Sequence, residues 1–308
     1  MASIVGTTVV STSTHADVAL SLATAMQTTN LILEHRRFPD REAYIRIPEN
    51  VHPNLAGQDV ILVTNTYPDE QIVQSILLLQ TLEQVTRSSE SESGTLTVAI
   101  PYFGYARQDK QFLPGESISS TTLAMHFSMH CDRMAILDVH AREPFDRLSI
   151  DILHPSLIPE IADFFNSGIE IDIVLAPDAG SVERASAAAK LLDVPFTHLT
   201  KRRIDAHTVI HEPKELDVEG ARVLIIDDMI STGGTIIRAT QSLREQGANE
   251  VHAACTHGLF TSGATERLLN SLDSVVASTS LPNSVARIDA GKAIARCLLN
   301  AGPPERKR

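Results

Sequence analysis

The sequence predicts an α/β fold built from two similar domains, each a parallel β-sheet flanked by helices. Short apolar strands, such as residues 60–63 and 223–226, alternate with helical patterns along the whole chain. A strand that lacks polar alternation is typical of a parallel sheet covered on both faces. The 308 residues also suffice for two domains of about 150 residues each.

The elements of the first half follow in order from turn signals and apolar periodicity. Thr14 with Asp17 three residues later is a capping pattern ahead of an apolar stripe, so a helix is predicted to begin there. Apolar runs and a helical period then predict strands over 60–63, 96–100 and 135–139 and a helix over 69–86.

The second half repeats this pattern. The predicted strands cover 173–175, 223–226 and 251–254, and the predicted helices cover 181–192, 235–246 and 264–272. Segments 57–63 and 220–226 share a glycine, a polar pair and an apolar strand, which indicates a duplicated domain. The alternative is a chance likeness, because parallel strands resemble one another.

The domains are placed at residues 1–147 and 148–290. A C-terminal helix and tail, 291–308, are expected to pack back on the first domain.

Composition excludes several classes of protein. The net charge is −12, aromatic residues make up 4% and there is no Trp, which argues against a nucleic-acid binder. Three scattered cysteines exclude a disulfide scaffold and a CxxC metal site. The N-terminus shows no signal peptide, and the longest uncharged stretch, 18–33, is too polar to span a membrane. We expect a soluble cytoplasmic protein that binds neither nucleic acid nor membrane.

The strongest chemical pattern is the segment 223–235, an apolar strand followed by two carboxylates, hydroxyl residues, two glycines and a helix. Open α/β sheets bind ligands at the carboxyl ends of their strands. Glycines and a helix N-terminus suit a phosphate, whereas carboxylates suit sugar hydroxyls. The pattern therefore predicts a phosphorylated-sugar site formed by Asp227, Asp228, Ser231, Thr232, Gly233, Gly234 and Thr235.

This segment resembles the 5-phosphoribosyl 1-diphosphate signature of the type I phosphoribosyltransferase fold, which recognises ribose 5-phosphate. The motifs described next occur in the order typical of one subset of that fold, the ribose-phosphate pyrophosphokinases. The resemblance covers roughly residues 4–300. Ser231 stands where many relatives carry an acidic residue, and a hydroxyl there still donates to phosphate.

Two motifs of the first half resemble the ATP elements of that family. Residues 38–42 resemble its Phe-x-Asp-Gly-Glu element, with Arg41 in place of Gly. The resemblance implies that Phe38, Asp40 and Glu42 complete the adenine site of a neighbouring subunit, so the protein would be a homo-oligomer. Residues 101–109 resemble the second element and imply that Arg107 and Gln108 contact ATP. No GxxxxGK[ST] loop is present, which leaves side chains and metal to hold the nucleotide.

Further motifs imply the metal contacts and the catalytic cations. Residues 138–141 resemble Asp-Leu-His-Ala, and residues 177–181 resemble Pro-Asp-x-Gly-Gly with Ser181 as the last residue. By resemblance, His140 and Asp178 contact Mg²⁺. Lys201-Arg202-Arg203 resembles the element that carries the catalytic loop, with Lys201 and Arg203 as the working cations on a mobile arm. Two further segments, 256–258 and 260–263, also resemble the family, but no chemical role is predicted for them.

The resemblance implies a Mg²⁺-dependent ribose-phosphate diphosphokinase, which converts ATP and ribose 5-phosphate into 5-phosphoribosyl 1-diphosphate and AMP for nucleotide biosynthesis. One alternative is a phosphoribosyltransferase acting on a base, which needs the sugar loop but neither 102–109 nor 201–203. The other is a non-catalytic regulatory relative. Such proteins typically lose or interrupt the ATP motifs and the catalytic arm, which are intact in this chain.

Overall fold

The computed structural model describes residues 6–87, 94–203, 209–213 and 218–305, with 200–203 and 209–213 described by their backbone. The chain divides into two compact units, Met1–Ser156 together with Ala290–Arg308 (unit 1) and Leu157–Asp289 (unit 2). Residues 306–308 of the predicted tail lie outside the described residues. Within the described parts of the chain, no helix is both long and apolar enough to cross a membrane.

The elements alternate between strands and helices, as the apolar pattern predicts. Unit 1 begins with β1 (Thr7–Thr12), α1 (Ala16–Met26), β2 (Thr29–Leu33), β3 (His35–Arg37), β4 (Ala43–Ile45), β5 (Asp59–Val63), α2 (Asp69–Thr86), β6 (Leu96–Ile100), α3 (Ser119–Ser128), β7 (Arg133–Ile136) and β8 (Asp151–Leu153). Unit 2 contains α4 (Ile158–Asn166), β9 (Ile173–Ala176), α5 (Val182–Leu192), β10 (Phe196–Arg203), β11 (Val209–Pro213), β12 (Arg222–Ile230), α6 (Gly234–Glu245), β13 (Glu250–Gly258), α7 (Ala264–Leu269), β14 (Ser274–Ser278) and β15 (Ala286–Ile288). The last helix, α8 (Ala290–Ala301), belongs to unit 1.

Each unit is built on one main sheet. The first has the order β2-β1-β5-β6-β7-β8 with every pair parallel, and β3 and β4 form a separate antiparallel hairpin. The second has the order β11-β10-β9-β12-β13-β14-β15 and is parallel except between β10 and β11. When β3, β4 and β11 are left out of the comparison, the strands of the two sheets have the same order. The helices of the two units also follow corresponding strands. The prediction of two similar parallel α/β domains is therefore confirmed.

Apolar side chains bury both sheets, which explains why the strands lack polar alternation. In unit 1, the core around β5, β6 and β7 includes Leu62, Val98 and Ile136, all fully buried. In unit 2, Val223 and Ile225 of β12 belong to the corresponding core. Helix α8 lies directly against α1, because a Cβ atom on Gly291 would stand 2.6 Å from the carbonyl oxygen of Val18.

Three boundaries that bear on the site differ from the sequence prediction. Strand β7 ends at Ile136, so the predicted end at Val139 is wrong. Strand β12 continues beyond Ile226 to Ile230, because β13 extends in parallel and pairs Ile230 with Gly258. Residues 201–203 lie within β10 and pair with β11 in an antiparallel hairpin that continues beyond the pairing of β10 with β9, whereas the sequence prediction placed no strand there.

Candidate functional site

The two adjacent carboxylates lie in the last part of β12, the central strand of the second sheet. Asp228 is buried and Asp227 is half-buried. Asp227 Oδ1 accepts a hydrogen bond from the backbone N–H of Asp228 at 2.9 Å, and Asp228 Oδ1 accepts one from Met229 N–H at 2.7 Å. The backbone of β12 thus holds both carboxylates at the carboxyl edge of the sheet, where the sequence predicts a sugar site.

Ser181 connects this pair to the loop that follows β9. Its Oγ donates to Asp227 Oδ1 at 2.7 Å and lies 3.4 Å from Asp178 Oδ1, which also accepts from Gly180 N–H at 2.9 Å. The residue that replaces a family glycine therefore bridges two carboxylates by its hydroxyl. Sequence reasoning missed this contact, because 46 residues separate Ser181 from Asp227.

The carboxylates of this cluster oppose one another's ionisation. The pKa of Asp227 is raised from 3.8 to about 7, chiefly by burial and then by the negative charges of Asp228 and Asp178, while the Ser181 hydrogen bond acts in the opposite direction. A site that destabilises its own negative charge favours ligands that bring hydrogen-bond donors or a cation. Ribose hydroxyls are such donors, and Mg²⁺ is such a cation.

An arginine that the sequence motifs do not include faces Asp228. Arg184, in the first turn of α5, places Nη2 3.9 Å from Asp228 Oδ2. Its Nε atom is buried and has no hydrogen-bond partner among the described residues. Both side chains are shielded from water, with 18% of the Arg184 side chain and 7% of the Asp228 side chain exposed.

The predicted phosphate loop, 231–235, joins β12 to α6. Gly233 is the N-cap residue of α6 and has φ +75°, a left-handed conformation that glycine adopts without steric cost. The first N–H groups of a helix have no partner inside the helix, and the first turn of α6 contains no acidic residue. The loop and the helix N-terminus therefore provide donors for an anion such as the 5-phosphate of a sugar.

A second segment of unit 2 buttresses this loop. Thr261 N–H donates to the Ser231 carbonyl at 3.0 Å, and the two hydroxyls of these residues are 3.2 Å apart. Arg267 Nη2 donates to the Thr232 carbonyl at 2.9 Å. The Leu268 side chain packs directly against Gly233, since a Cβ atom on Gly233 would stand 3.0 Å from Leu268 Cδ1.

This buttress comes from 260–263 and α7. Residues 260–263 are family-like in sequence, but no chemical role was predicted for them.

The equivalent position in unit 1 contains no such site. There β5 leads into Thr64 and Asn65, where Asn65 Oδ1 accepts from Tyr102 N–H at 2.8 Å and the Thr64 and Ser75 hydroxyls lie 2.6 Å apart. The helix that follows, α2, has two acidic residues in its first turn. These carboxylates repel a phosphate, so of the two equivalent loops only that of unit 2 is suited to a phosphorylated sugar.

The predicted ATP residues Phe38, Asp40 and Glu42 form the tip of the hairpin β3–β4 in unit 1. Phe38 N–H donates to the Glu42 carbonyl at 2.9 Å, and Asp40 Oδ1 accepts from Glu42 N–H at 3.1 Å. Arg41 has φ +76° and so adopts the left-handed conformation for which glycine is favoured. The Phe38 ring is 42% exposed and packs edge-on against Tyr44 with centroids 5.4 Å apart.

Residues 101–109 form a loop after β6 in unit 1. The Tyr105 hydroxyl donates to Asp69 Oδ1 at 2.7 Å, which ties the loop to the start of α2. Tyr105 also has φ +66°. Arg107 is exposed, and the Gln108 carbonyl accepts from Ser120 Oγ at 3.0 Å. The two predicted ATP residues are thus presented by a loop that is anchored on both sides.

The remaining predicted residues are divided between the units. His140 is exposed in unit 1, four positions after the end of β7. Asp178 belongs to the unit 2 cluster described above. Lys201 and Arg203 lie in β10, where their backbones pair with His211 and Val209. Their side chains, and residues 204–208 of the predicted arm, lie outside the described residues.

The acidic cluster of unit 2 bears on the predicted Mg²⁺ contacts. Within the described parts of the chain, no group of three or more His, Cys, Asp or Glu side chains could hold a metal ion. The charge conflict at Asp227 nevertheless suits a cation that arrives with its other ligands. Mg²⁺ commonly binds in this way, through one or two carboxylates together with substrate phosphates and water, so the residues fit Mg²⁺.

The fold and the loop of unit 2 define a protein of the phosphoribosyltransferase class. Residues 157–289 match the family model described as a phosphoribosyl transferase domain, and residues 7–130 match the N-terminal domain of ribose phosphate pyrophosphokinase. The chain belongs to the ribose-phosphate pyrophosphokinase family.

Relatives support this membership along most of the chain. The ribose-phosphate pyrophosphokinase of Pyrococcus furiosus is 38% identical over 261 residues, which cover 83% of this chain and 88% of that protein. The protein of the same name from Thermococcus kodakarensis is 36% identical, over 84% of this chain and 89% of its own length. The crystal structure of phosphoribosylpyrophosphate synthetase from Mycobacterium smegmatis, 24% identical, matches 96% of this chain and 100% of its own with a TM-score of 0.80, which shows a shared fold.

Proposed function

We propose that this chain transfers the β,γ-diphosphoryl group of ATP to O1 of ribose 5-phosphate. The products are 5-phospho-α-D-ribose 1-diphosphate and AMP. The observation that carries the proposal is the juxtaposition, at the end of β12, of an acidic pair with a glycine-rich loop at a helix N-terminus. Family membership favours synthesis of the activated sugar over its use with a base.

The sugar binds in unit 2. Asp227 and Asp228 accept hydrogen bonds from the ribose 2- and 3-hydroxyls. The 5-phosphate accepts hydrogen bonds from the backbone and hydroxyls of Ser231, Thr232, Gly233, Gly234 and Thr235. This division follows from charge, because carboxylates repel phosphate but accept from hydroxyls, whereas a helix N-terminus attracts phosphate.

The nucleotide is held by side chains. Arg107 and Gln108 contact the adenine and the phosphates, since a guanidinium both stacks on a base and forks onto phosphate oxygens. The hairpin tip with Phe38, Asp40 and Glu42 completes the adenine site of a neighbouring subunit. The exposed Phe38 ring supports this assignment, because an aromatic face at a hairpin tip is available to a second copy of the chain. The active form is therefore a homo-oligomer, a dimer or larger.

His140 and Asp178 are the proposed protein contacts of Mg²⁺. When bound, the ion offsets negative charge on the triphosphate and polarises the phosphorus under attack. The chain's own task is to orient the reactants. O1 of the sugar attacks the β-phosphorus, the new O1–P bond forms, and the bond between the β-phosphorus and the α,β-bridging oxygen breaks. AMP departs with that oxygen, and the O1 proton passes to solvent. Such transfers depend chiefly on positioning and charge neutralisation.

AMP release tests the proposal. The protein is incubated with ATP, Mg²⁺ and ribose 5-phosphate, and AMP is measured with and without the sugar. We expect AMP to form only when the sugar is present. The activated sugar should form in equal amount, and it is detected by its ability to donate the phosphoribosyl group to a base. Diphosphate release that requires the activated sugar and a base would instead indicate a phosphoribosyltransferase. No turnover with either substrate set would indicate a regulatory relative.

Lys201 and Arg203 are proposed to neutralise charge that develops on the transferred and leaving groups. Replacing both with alanine should lower kcat by about a hundredfold or more, the cost of losing a preorganised donor. Ribose 5-phosphate binding, measured by calorimetry, should persist. Arg202→Ala removes the neighbouring charge and is the matched control. A double variant with wild-type kcat would refute the assignment.

A further inference from the structure

The carboxyl edge of β9 and β12 gathers three carboxylates, those of Asp178, Asp227 and Asp228. Asp227 and Asp178 share the Ser181 hydroxyl at 2.7 and 3.4 Å. Asp228, the third carboxylate, faces the Arg184 guanidinium, with Arg184 Nη2 3.9 Å from Asp228 Oδ2. Arg184 therefore has a specific partner in the cluster, and that partner is a proposed sugar ligand.

The surroundings distinguish this pair from an ordinary surface ion pair. Exposed pairs contribute little, because water screens both charges. Asp228 retains only 5% of its surface accessible, and the Arg184 side chain is 18% exposed. A carboxylate buried to this extent stays charged only if a cation or several donors compensate for its lost hydration.

The Arg184 guanidinium also has one N–H donor that the described residues leave unpaired. Arg184 Nε is buried and has no hydrogen-bond partner among the described residues. A buried unpaired N–H is costly unless an oxygen reaches it. A ligand oxygen or an ordered water at the sugar site meets that need. The distance of 3.9 Å between Arg184 Nη2 and Asp228 Oδ2 is longer than an ideal hydrogen bond, so these two atoms can move closer together.

We propose that Arg184 is a positioning residue for sugar recognition, which holds the Asp228 carboxylate in place to accept hydrogen bonds from the ribose hydroxyls. The inference rests on the proposed function. It adds a residue that none of the sequence motifs singled out. Arg184 acts through Asp228 and is assigned no part in the transfer step. Its loss should therefore weaken sugar binding more than nucleotide binding.

The test compares Arg184→Met, Arg184→Lys and the control Lys190→Met. Methionine keeps much of the aliphatic volume and removes the charge. Lysine keeps a positive charge but has a shorter side chain without the guanidinium group. Lys190 lies exposed in the last turn of the same helix, so its replacement removes an equal charge away from the site. Each protein is assayed for ribose 5-phosphate binding by calorimetry without ATP, for both KM values, for kcat and for its melting temperature.

We expect Arg184→Met to weaken ribose 5-phosphate binding by about tenfold or more, the scale of a lost charge-assisted contact. KM for ATP should stay within about twofold. Arg184→Lys should recover part of the loss, and Lys190→Met should match the wild type. If Arg184→Met does not fold, the lysine variant alone must still show weaker sugar binding with an unchanged KM for ATP.

Three results would overturn the inference. They are unchanged sugar binding in Arg184→Met, an equal rise of both KM values, and a lysine variant as weak as the methionine variant. A wild-type protein that binds no ribose 5-phosphate would overturn the proposed function as well. Because wild-type binding is measured in the same experiment, the two failures can be distinguished.

Discussion

Replacing Gly233 with alanine tests whether the phosphate loop has the conformation and the support described above. The structure supplies two costs. Gly233 has φ +75°, and a Cβ atom there would stand 3.0 Å from Leu268 Cδ1 and 3.1 Å from its Cγ. The left-handed conformation costs a non-glycine residue about 1–2 kcal/mol. Displacing the buried Leu268 side chain adds about 1–3 kcal/mol by analogy with overpacked cores.

Gly220→Ala separates these two costs. Gly220 has φ +72° but no atom within 4 Å of its would-be Cβ, so alanine there carries only the conformational cost. Gly233→Ala should therefore lower the free energy of unfolding by about 2–5 kcal/mol, against about 1–2 kcal/mol for Gly220→Ala. Urea denaturation of both variants measures the difference.

The same two variants report on function. Gly233→Ala should raise KM for ribose 5-phosphate, because relief of the Leu268 overlap moves the N–H groups of the loop. Gly220→Ala should leave this KM unchanged. The reasoning is refuted if the two variants lose equal stability, or if Gly233→Ala binds the sugar as the wild type does.

Three further outcomes are expected. Because the pKa of Asp227 is raised in the folded state, ionisation of this carboxyl destabilises the fold increasingly as pH rises from 3.8 to about 7. Asp227→Asn should therefore raise the melting temperature of the unliganded protein above pH 7 and should lose sugar binding. Equal melting temperatures of the variant and the wild type at pH 8 would contradict this. Arg41→Gly should be about 1 kcal/mol more stable than Arg41→Ala in urea, because only glycine suits φ +76°; the reverse order would be inconsistent with the turn. Tyr105→Phe loses the 2.7 Å hydrogen bond to Asp69 and should raise KM for ATP about two- to tenfold in steady-state assays, whereas the control Tyr67→Phe should not.

Local patterns predicted the elements that have strong periodicity. Helix α2 and strand β6 have the predicted bounds, because a long helical period and an apolar run between turn residues are local signals. The hairpin β3–β4 was not predicted as strands. Its strands have three residues each, which is too short to show an alternating pattern.

Contacts between distant segments could not be predicted in this way. The position of Asp227 and Asp228 inside β12 depends on the extension of β13, which is far along the chain. Arg184 contacts Asp228 and Arg267 contacts the Thr232 carbonyl through tertiary packing, and neither arginine belongs to a recognised motif. The family-like segment 260–263 was the one available signal for the buttress, but only the structure shows that it holds the loop.

The central claim is that both terminal phosphates of ATP move together to the sugar. ATP labelled at its β-phosphorus and, separately, ATP labelled at its γ-phosphorus are each incubated with the protein, Mg²⁺ and ribose 5-phosphate. The account predicts that both labels appear in the sugar product, with unlabelled AMP formed in equal amount. Transfer of the γ label alone, with ADP as the other product, would contradict it.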